Sequence, residues 1–235
     1  MPSDAPVVAL RSVGVCYRGR ARPLGRAIEY WALCEVSFDV YPGETIGLVG
    51  RNGAGKTTLL KAIAGIIEPD RGSIERGNIN LSMLSLQVGF LPQLSGRENA
   101  ILSGMLLGLD RAGAERQVAR IEAFADLGDH FDAPLATYSS GMRARLGFSS
   151  ALYSTAEVLL IDEVLGVGDQ EFRAKSNAAI KELIRSNRTV ILASHNLATL
   201  RELCHRVVWI DRGRVRAAAA TSEVLDRYAK QAQTK

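Results

Sequence analysis

The chain has 235 residues, of which 47% are hydrophobic and 23% are charged, and its formal net charge is +4. These values suit one large α/β domain, or one such domain with a lobed insertion. The positive charge is spread along the chain rather than gathered in a patch, which argues against nucleic acid as a partner.

Nothing in the sequence predicts secretion or a membrane span. The opening Met1-Pro2-Ser3-Asp4 lacks the basic and apolar regions of a signal peptide, and no apolar run is long enough to cross a bilayer. The three cysteines are far apart and lack metal-ligand spacing, so we expect reduced thiols in small core positions. Any membrane role is therefore expected to come through a partner.

The N-terminal region predicts an antiparallel sheet. A strand over 7–17 ends at Tyr17, and a second strand over 36–40 precedes the turn 41–44. From its position alone, Tyr17 fits two roles equally well: stacking on a nucleotide base, or half-buried packing at a strand end.

A basic segment separates these strands, at about 18–31. Four arginines fall within nine residues, and apolar residues then recur at helical spacing, at Leu24, Ala27, Ile28 and Trp31. With Pro23 near the first turn, the segment predicts a short amphipathic helix. Such a helix suits a membrane surface or an anionic ligand, or it simply packs on its own domain.

The next stretch predicts a phosphate-binding loop. A buried strand over 45–49 leads into Gly50-Arg51-Asn52-Gly53-Ala54-Gly55-Lys56-Thr57-Thr58, and a helical run over 59–64 follows. The glycines let backbone N–H groups point at a polyphosphate, and the helix N-terminus adds partial positive charge. Lys56 is expected to reach the β- and γ-phosphates, and the Thr57 hydroxyl to ligate Mg²⁺.

The region at about 95–155 predicts a helical lobe inserted into the α/β core. Short strand-like pieces over 73–91 come first, and Ser95 and Glu98 have the spacing of a capping box. Helical patterns then follow, over 96–107, 112–127 and 143–154, the last of them directly after Ser139-Ser140-Gly141-Met142.

The core resumes with a wholly apolar strand over 158–161 that ends in Asp162 and Glu163. Beside a phosphate loop, Asp162 is expected to hold Mg²⁺ directly or through water, and Glu163 to orient or deprotonate the attacking water.

The last part of the chain predicts a helix, a strand, a hairpin and a closing helix. The helix over 170–186 leads to a buried strand over 189–193, which is followed by His195. Open α/β sheets bind ligands at this strand edge. A hairpin over 207–215 and a helix at about 222–232 come next.

Taken together, the order of these motifs resembles the ATP-binding subunit of ABC transporters, from Val7 to about Leu225. The resemblance implies an α/β fold, the P-loop NTPase ABC ATPase fold with an antiparallel β subdomain, a RecA-like core and an inserted α-helical subdomain. The core would span 1–94 and 156–235, around a helical subdomain at about 95–155.

The resemblance also implies roles for single residues. Tyr17 matches the aromatic that stacks on adenine, and Gln93 the residue that senses γ-phosphate and Mg²⁺. Glu163 matches the catalytic carboxylate and His195 the switch histidine. The remaining implied contacts to ATP and Mg²⁺ come from the Walker A loop, the Walker B aspartate, the signature and the D-loop: Gly50, Asn52, Gly53, Ala54, Gly55, Lys56, Thr57, Thr58, Asp162, Ser139, Ser140, Gly141 and Asp169.

The signature segment of this chain is Tyr138-Ser139-Ser140-Gly141-Met142. It departs from Leu-Ser-Gly-Gly-Gln, since Ser140 replaces a glycine and Met142 replaces the glutamine. This variant resembles the signature of one subfamily, the ATPases of polysaccharide exporters, which export O-antigen, capsular polysaccharide and teichoic acid. The same resemblance extends to Tyr30-Trp31-Ala32-Leu33, 94–99 and Gly166-Val167-Gly168-Asp169. The basic segment 18–31 fits too, because these ATPases carry a short N-terminal helix thought to lie near the entry of the lipid-linked substrate. Some O-antigen exporters add a C-terminal carbohydrate-binding domain, which does not occur within these residues.

The family geometry implies several partners. Two copies would sandwich two ATP molecules head to tail, with Ser139 and Gly141 of one copy closing over the γ-phosphate held by the other. A polytopic permease subunit would move the lipid-linked polysaccharide and keep this chain at the cytoplasmic face of the inner membrane.

Three alternatives remain at the sequence level. The first is an exporter of teichoic acid, capsule or another amphiphilic substrate. The second is a soluble ABC ATPase acting on DNA or ribosomes, against which the absence of long coiled coils and of a second ATPase domain argues. The third is a P-loop kinase or GTPase, for which the signature serine and glycine have no use.

Overall fold

The computed structural model describes residues 5–19, 29–83, 89–162, 169–186 and 188–233. The chain divides into two compact units, which are treated one at a time. The first unit is Met1–Ile79 with Asn187–Lys235, and the second unit is Asn80–Ser186. The helical stretch expected at about 95–155 lies within the second unit.

Both units contain strands and helices. The first unit begins with β1 (Val8–Arg18), β2 (Glu29–Val40), β3 (Thr45–Val49), α1 (Lys56–Ile63) and β4 (Arg71–Arg76). The second unit contains β5 (Leu81–Met83), α2 (Gly96–Leu106), α3 (Arg111–Ala125), α4 (Ser140–Leu152), β6 (Val158–Asp162) and α5 (Gln170–Arg185), with short 3-10 helices at Gly128–Asp132 and Leu135–Thr137. The first unit then ends with β7 (Thr189–Ala193), α6 (Leu197–Leu203), β8 (Arg206–Asp211), β9 (Arg214–Ala220) and α7 (Thr221–Gln233).

An antiparallel sheet with strand order β2-β1-β4 forms one layer of the first unit. Its central strand pairs along most of its length, with Val8 opposite Val40 and Tyr17 opposite Tyr30. This sheet is the predicted antiparallel one, but β2 begins seven residues earlier than expected, at Glu29 rather than 36.

The helix predicted at about 18–31 is therefore wrong for Glu29–Trp31. These residues are strand, and Arg18 pairs with Glu29 and Cys16 with Trp31. The ladder to β1 uses their backbone groups, and their aromatic side chains favour a pleated strand, so the helical spacing of apolar residues was misleading there. Arg18 is strand as well, because it is the last residue of β1, and residues 20–28 of the predicted segment lie outside the described residues.

A second sheet in the first unit carries the phosphate loop. β3 pairs in parallel with β7 and with β8, and β9 pairs antiparallel with β8. All five residues of β3 and of β7 are buried, as expected for strands covered on both faces. Since Leu48 lies opposite Ala193, these two strands end at the same edge and bring Gly50 and His195 to it.

In the second unit, β5 and β6 pair in parallel beside a helical core. Three helices and the 3-10 segments share this core, whose buried members are Ala100, Val118, Ile121, Ala125, Leu127, Phe131, Leu135, Tyr138 and Leu146. The capping box predicted for α2 is confirmed, because Ser95 accepts from the Glu98 amide and the Glu98 carboxylate accepts from the Ser95 amide. No helix in the described ranges is long and apolar enough to cross a membrane.

Candidate nucleotide site

The loop between β3 and α1 is enclosed by backbone on two sides. A Cβ added at Gly50 would overlap the Ile210 carbonyl oxygen at the end of β8, and one at Gly55 would lie 2.6 Å from the Ala32 carbonyl oxygen of β2. Gly55 also has a φ of 108°, in the left-handed region that side chains disfavour. Both glycines are thus required by the packing of the loop.

The N-terminus of α1 offers an anion site. Gly55 is its N-cap and provides no side-chain hydrogen bond, and the first turn contains no acidic residue. Helix N-terminal N–H groups without a side-chain cap carry partial positive charge and bind phosphate. The sequence Gly-x-x-x-x-Gly-Lys-Thr therefore lies in the strand-loop-helix geometry that holds a polyphosphate.

Lys56 places a buried cation inside this loop. Its side chain is only 7% exposed, and its Nζ donates to the Gly50 carbonyl at 2.7 Å and to the Arg51 carbonyl at 3.3 Å. Two carbonyls from the start of the loop thus fix the ammonium group within it. Thr57, the next residue, is exposed, so its hydroxyl is available to a ligand.

Two tyrosines on neighbouring strands contact the loop at different points. The Tyr17 hydroxyl is 3.3 Å from the Thr58 hydroxyl, and the Tyr30 hydroxyl donates to the Gly53 carbonyl at 3.3 Å. Because the tyrosines are directly opposed in an antiparallel pair, their side chains share one face of the sheet. The sequence names Tyr30 only within the segment that resembles polysaccharide exporters, and its contact with the loop was not expected. Recognising that β2 extends to Glu29 would have indicated that contact.

His195 lies on a short turn after β7 and is exposed. The turn is ordered by its neighbours: the Asn196 amide donates to the buried Ser194 hydroxyl at 3.1 Å, and the Asn196 side chain caps α6 by accepting from Ala198 and Thr199. The histidine is thus presented at the strand edge that also carries Gly50.

In the second unit, the segment around Gln93 is held by a residue that the sequence analysis missed. The Asn99 side chain is fully buried; it accepts from the Leu91 amide and donates to the carbonyls of Leu91, Leu94 and Ser95. These bonds fix the backbone on both sides of Gln93, whose own side chain is exposed. A buried Asn one turn into a helix has no distinctive spacing, so only the fold reveals this role.

The signature residues form the N-terminus of α4. Ser139 is the N-cap, and its hydroxyl accepts from the Met142 amide at 3.1 Å. Its neighbour Ser140 is exposed, and the space beside Gly141 is open, since a Cβ there would have only the Ser139 hydroxyl near it, at 3.8 Å. This helix end can therefore face an anion or another surface.

Two of the predicted carboxylates lie in the second unit. Asp162 ends β6 and is half-buried, and Asp169 is the N-cap of α5. The pKa of Asp169 is lowered, first by the hydrogen bond from the Phe172 amide at 2.9 Å and then by the Arg145 guanidinium. Glu163 and Gly166–Gly168 lie outside the described residues.

The predicted site residues thus fall into two groups. The first unit brings together Tyr17, the Gly50–Thr58 loop and, at the same strand edge, His195. The second unit contains Gln93, the signature residues, Asp162 and Asp169.

Comparison with known proteins agrees with this class of fold and site. The family model described as "ABC transporter" matches residues 33–166. The chain is 43% identical to an O-antigen export system ATP-binding protein RfbB of Klebsiella pneumoniae, covering 89% of this chain and 85% of the relative. It is 38% identical to the teichoic acids export ATP-binding protein TagH of Listeria monocytogenes serotype 4b (strain F2365), covering 85% of this chain and 59% of the relative.

Solved structures agree on the fold. The ATP-binding subunit of an ABC transporter superposes with a TM-score of 0.78 at 23% identity, covering 95% of this chain and 93% of that one. A dimeric ATP-binding cassette bound to ADP and phosphate superposes with a TM-score of 0.74 at 20% identity, covering 91% of this chain and 98% of that one. The chain belongs to the ABC transporter family, as an ATPase with the ABC cassette fold, and the fold class predicted from the sequence is confirmed.

Proposed function

We propose that this chain is the ATP-hydrolysing subunit of an exporter that moves a lipid-linked, O-antigen-like polysaccharide across the cytoplasmic membrane. The observation that carries the proposal is the phosphate loop around the buried Lys56, in a chain whose similarity to RfbB extends over 85% of that relative. The second candidate substrate is teichoic acid, favoured by the TagH similarity, which extends over 59% of that protein.

The chain's residues fit Mg-ATP. The glycine-lined loop and the α1 N-terminus would hold the phosphates, and Tyr17 would stack on the adenine. Hydroxyl, carboxylate and amide oxygens from Thr57, Asp162 and Gln93 suit Mg²⁺, which prefers oxygen ligands. A bound Mg²⁺ ion would neutralise part of the negative charge of the phosphates.

Glu163 and His195 would provide the chemistry at the γ-phosphate. Glu163 follows the buried strand β6, where it would orient and deprotonate the attacking water. His195, on its ordered turn after β7, would contact the γ-phosphate as the switch residue. Asp169, which lies in the D-loop, would complete the proposed site.

A second copy of the chain would complete each site. The open N-terminus of α4 supports this role, because the N–H groups of Ser140 and Gly141 could face a γ-phosphate held by the other copy. The Ser139 hydroxyl accepts from the Met142 amide and could still donate its own proton to that phosphate. Binding of two ATP molecules would then close the dimer, and hydrolysis would reopen it.

The coupled partner would be a polytopic permease, with this chain peripheral at the cytoplasmic face of the membrane. The helical part of the second unit and the Gln93 segment fixed by Asn99 would transmit closure to that subunit. Since the relatives are named as ATP-binding proteins of export systems, a separate membrane subunit is the natural recipient of the motion.

The test is a transport assay in vesicles that contain this chain with its membrane subunit. We expect ATP-dependent movement of a lipid-linked O-antigen-type polysaccharide, and none with the Glu163→Gln variant. A lipid-linked teichoic acid, measured in parallel, separates the two candidates. Transport of neither glycan, with ATP turnover intact, would contradict the proposed cargo.

A further inference from the structure

A cleft beside the phosphate loop has walls that nucleotide binding does not use. Its volume is about 970 Å³, and it is lined by the outer part of the loop, Arg51–Ala54, together with residues of β2, of the β8–β9 turn and of α7. Tyr17, Lys56, Thr57 and Thr58 are absent from its lining. The cleft therefore touches the loop but is not the phosphate cradle.

Aromatic rings form its apolar walls. Both tryptophans of the chain, Trp31 and Trp209, line the cleft, as do Tyr30 and Tyr228. The Trp209 and Tyr228 rings pack edge to face at 5.5 Å, which fixes one wall, while Tyr30 is 53% exposed. Arg71 lies over the Trp31 ring at 4.4 Å and holds this ring in place.

The rim is positively charged. Arg51 and Arg212 both line the cleft and are exposed, and among the described residues neither side chain has an ion-pair or hydrogen-bond partner. The acidic lining residue, Asp211, is 3.3 Å from Arg216 and so is already paired. Uncompensated guanidinium groups beside apolar rings suit a ligand with an anionic group.

We propose that this cleft binds a sugar residue that carries a carboxylate or a phosphate. A sugar ring offers apolar C–H faces to aromatic walls and hydroxyls to polar neighbours such as Gln231, and its anionic group would pair with Arg51 and Arg212. The choice of a sugar rests on the proposed function, because a polysaccharide exporter works beside such chains. Tyr30 links the cleft to the loop through its hydrogen bond to the Gly53 carbonyl.

The two tryptophans allow a direct test, because both line this cleft and their emission responds to a ligand bound there. Trp31 also lines a smaller cleft beside Arg71 and Arg214, so the Arg212→Asn variant identifies which cleft responds. The probes are glucuronate and glucose 1-phosphate, with glucose and inorganic phosphate as comparisons. The measurement uses the Glu163→Gln variant saturated with Mg-ATP, so that the phosphate loop is occupied. We expect a saturable change in fluorescence with the two anionic sugars, weakened by added salt, and none with glucose or phosphate alone.

A pair of arginine variants separates the cleft from general charge effects. Arg212 has a φ of 48°, so Arg212→Asn removes the charge while keeping a residue that tolerates this backbone conformation. We expect it to raise the Kd of the anionic sugars about tenfold, and Arg116→Asn, an exposed control in α3, to leave it unchanged.

Equal Kd values in the two variants, a response to glucose or phosphate equal to that of the anionic sugars, or no saturable change would overturn the proposal. Normal ATP turnover by Arg212→Asn is the check that its phosphate loop is intact. Failure of the sugar-binding proposal is distinguishable from failure of the proposed function. Sugar binding is measured without any transport, and glycan export is measured without these sugar probes.

Discussion

Arg145 of the signature helix donates a hydrogen bond to Asp169, the N-cap of α5. The same guanidinium donates to the Asp126 carbonyl at 3.1 Å and lies over the Phe172 ring, 5.0 Å from its centroid. Arg145 thus connects the C-terminal end of α3, the helix α4 that begins with the signature, and the start of α5. Its side chain is 18% exposed, so these contacts are only partly screened by solvent.

We expect Arg145→Ala to lower ATP turnover about tenfold, because the signature helix and the Asp169 segment would no longer be held together. ATP affinity should be nearly unchanged, since Arg145 does not touch the phosphate loop. The loss of charge-assisted bonds should also lower the free energy of unfolding by about 1–3 kcal/mol. Steady-state kinetics, ATP titration and denaturant unfolding measure the three quantities.

Arg143→Ala is the matched control for that experiment. Arg143 lies on the same helix and is equally half-buried, but no hydrogen bond or ion pair of its side chain is found among the described residues. If both variants lost the same turnover, the effect would come from helix charge rather than from the link to Asp169.

Lys56→Ala should weaken ATP binding by at least about tenfold, which corresponds to about 1.4 kcal/mol, because it removes the cation that Gly50 and Arg51 hold inside the loop. Calorimetric titration of ATP measures the change. Lys61→Ala, in the last turn of the same helix, is the control and should bind ATP normally. An unchanged affinity of Lys56→Ala for ATP would show that Lys56 does not bind the phosphates.

The two glycines Gly50 and Gly141 should respond oppositely to alanine. Gly50→Ala places a methyl group against the Ile210 carbonyl and should lower the free energy of unfolding by about 1–3 kcal/mol or more. Gly141→Ala has open space and should leave stability nearly unchanged while lowering ATP turnover, since the methyl group would obstruct a γ-phosphate held by a second copy. Thermal unfolding and turnover distinguish the two; a strongly destabilised Gly141→Ala would be contrary to the open geometry.

Cys204 should resist alkylation. Burial raises the pKa of its thiol to about 12, so the reactive thiolate is scarce at pH 8. Because the pKa in the unfolded chain is lower, this residue's contribution to stability is complete below about pH 9 and declines as the pH rises towards 12. Peptide mass spectrometry after brief iodoacetamide treatment should find Cys16 and Cys34 modified before Cys204, and equal rates would contradict the buried placement.

The sequence predicts those parts of the fold that depend on local signals. The phosphate loop, the capping box at Ser95 and the buried strands β3, β6 and β7 all have a short-range pattern, and each is found in the structure. Local spacing was misleading at Glu29–Trp31, where pairing with β1 outweighs a helical period. Register across a sheet is a long-range property, so the strand extension could not be read from the segment itself.

The same distinction applies to the candidate site. Lys56 and His195 follow from motifs, whereas Tyr30, Asn99 and Arg145 act through contacts that tertiary folding creates. Asn99, for example, reaches back to carbonyls at Leu91, Leu94 and Ser95, and nothing in its neighbourhood marks it as different from another helical asparagine. Their roles could be assigned only from the structure, because a buried polar group is recognised by the hydrogen-bond partners that the fold gives it.

The central claim, ATP hydrolysis with Glu163 as the catalytic carboxylate, is tested most directly by phosphate release from the Glu163→Gln variant at saturating Mg-ATP. The substitution keeps the shape of the side chain and removes its ability to accept a proton. Phosphate release should be abolished while the Kd for ATP stays at the wild-type value. Phosphate release at the wild-type rate would contradict the central claim.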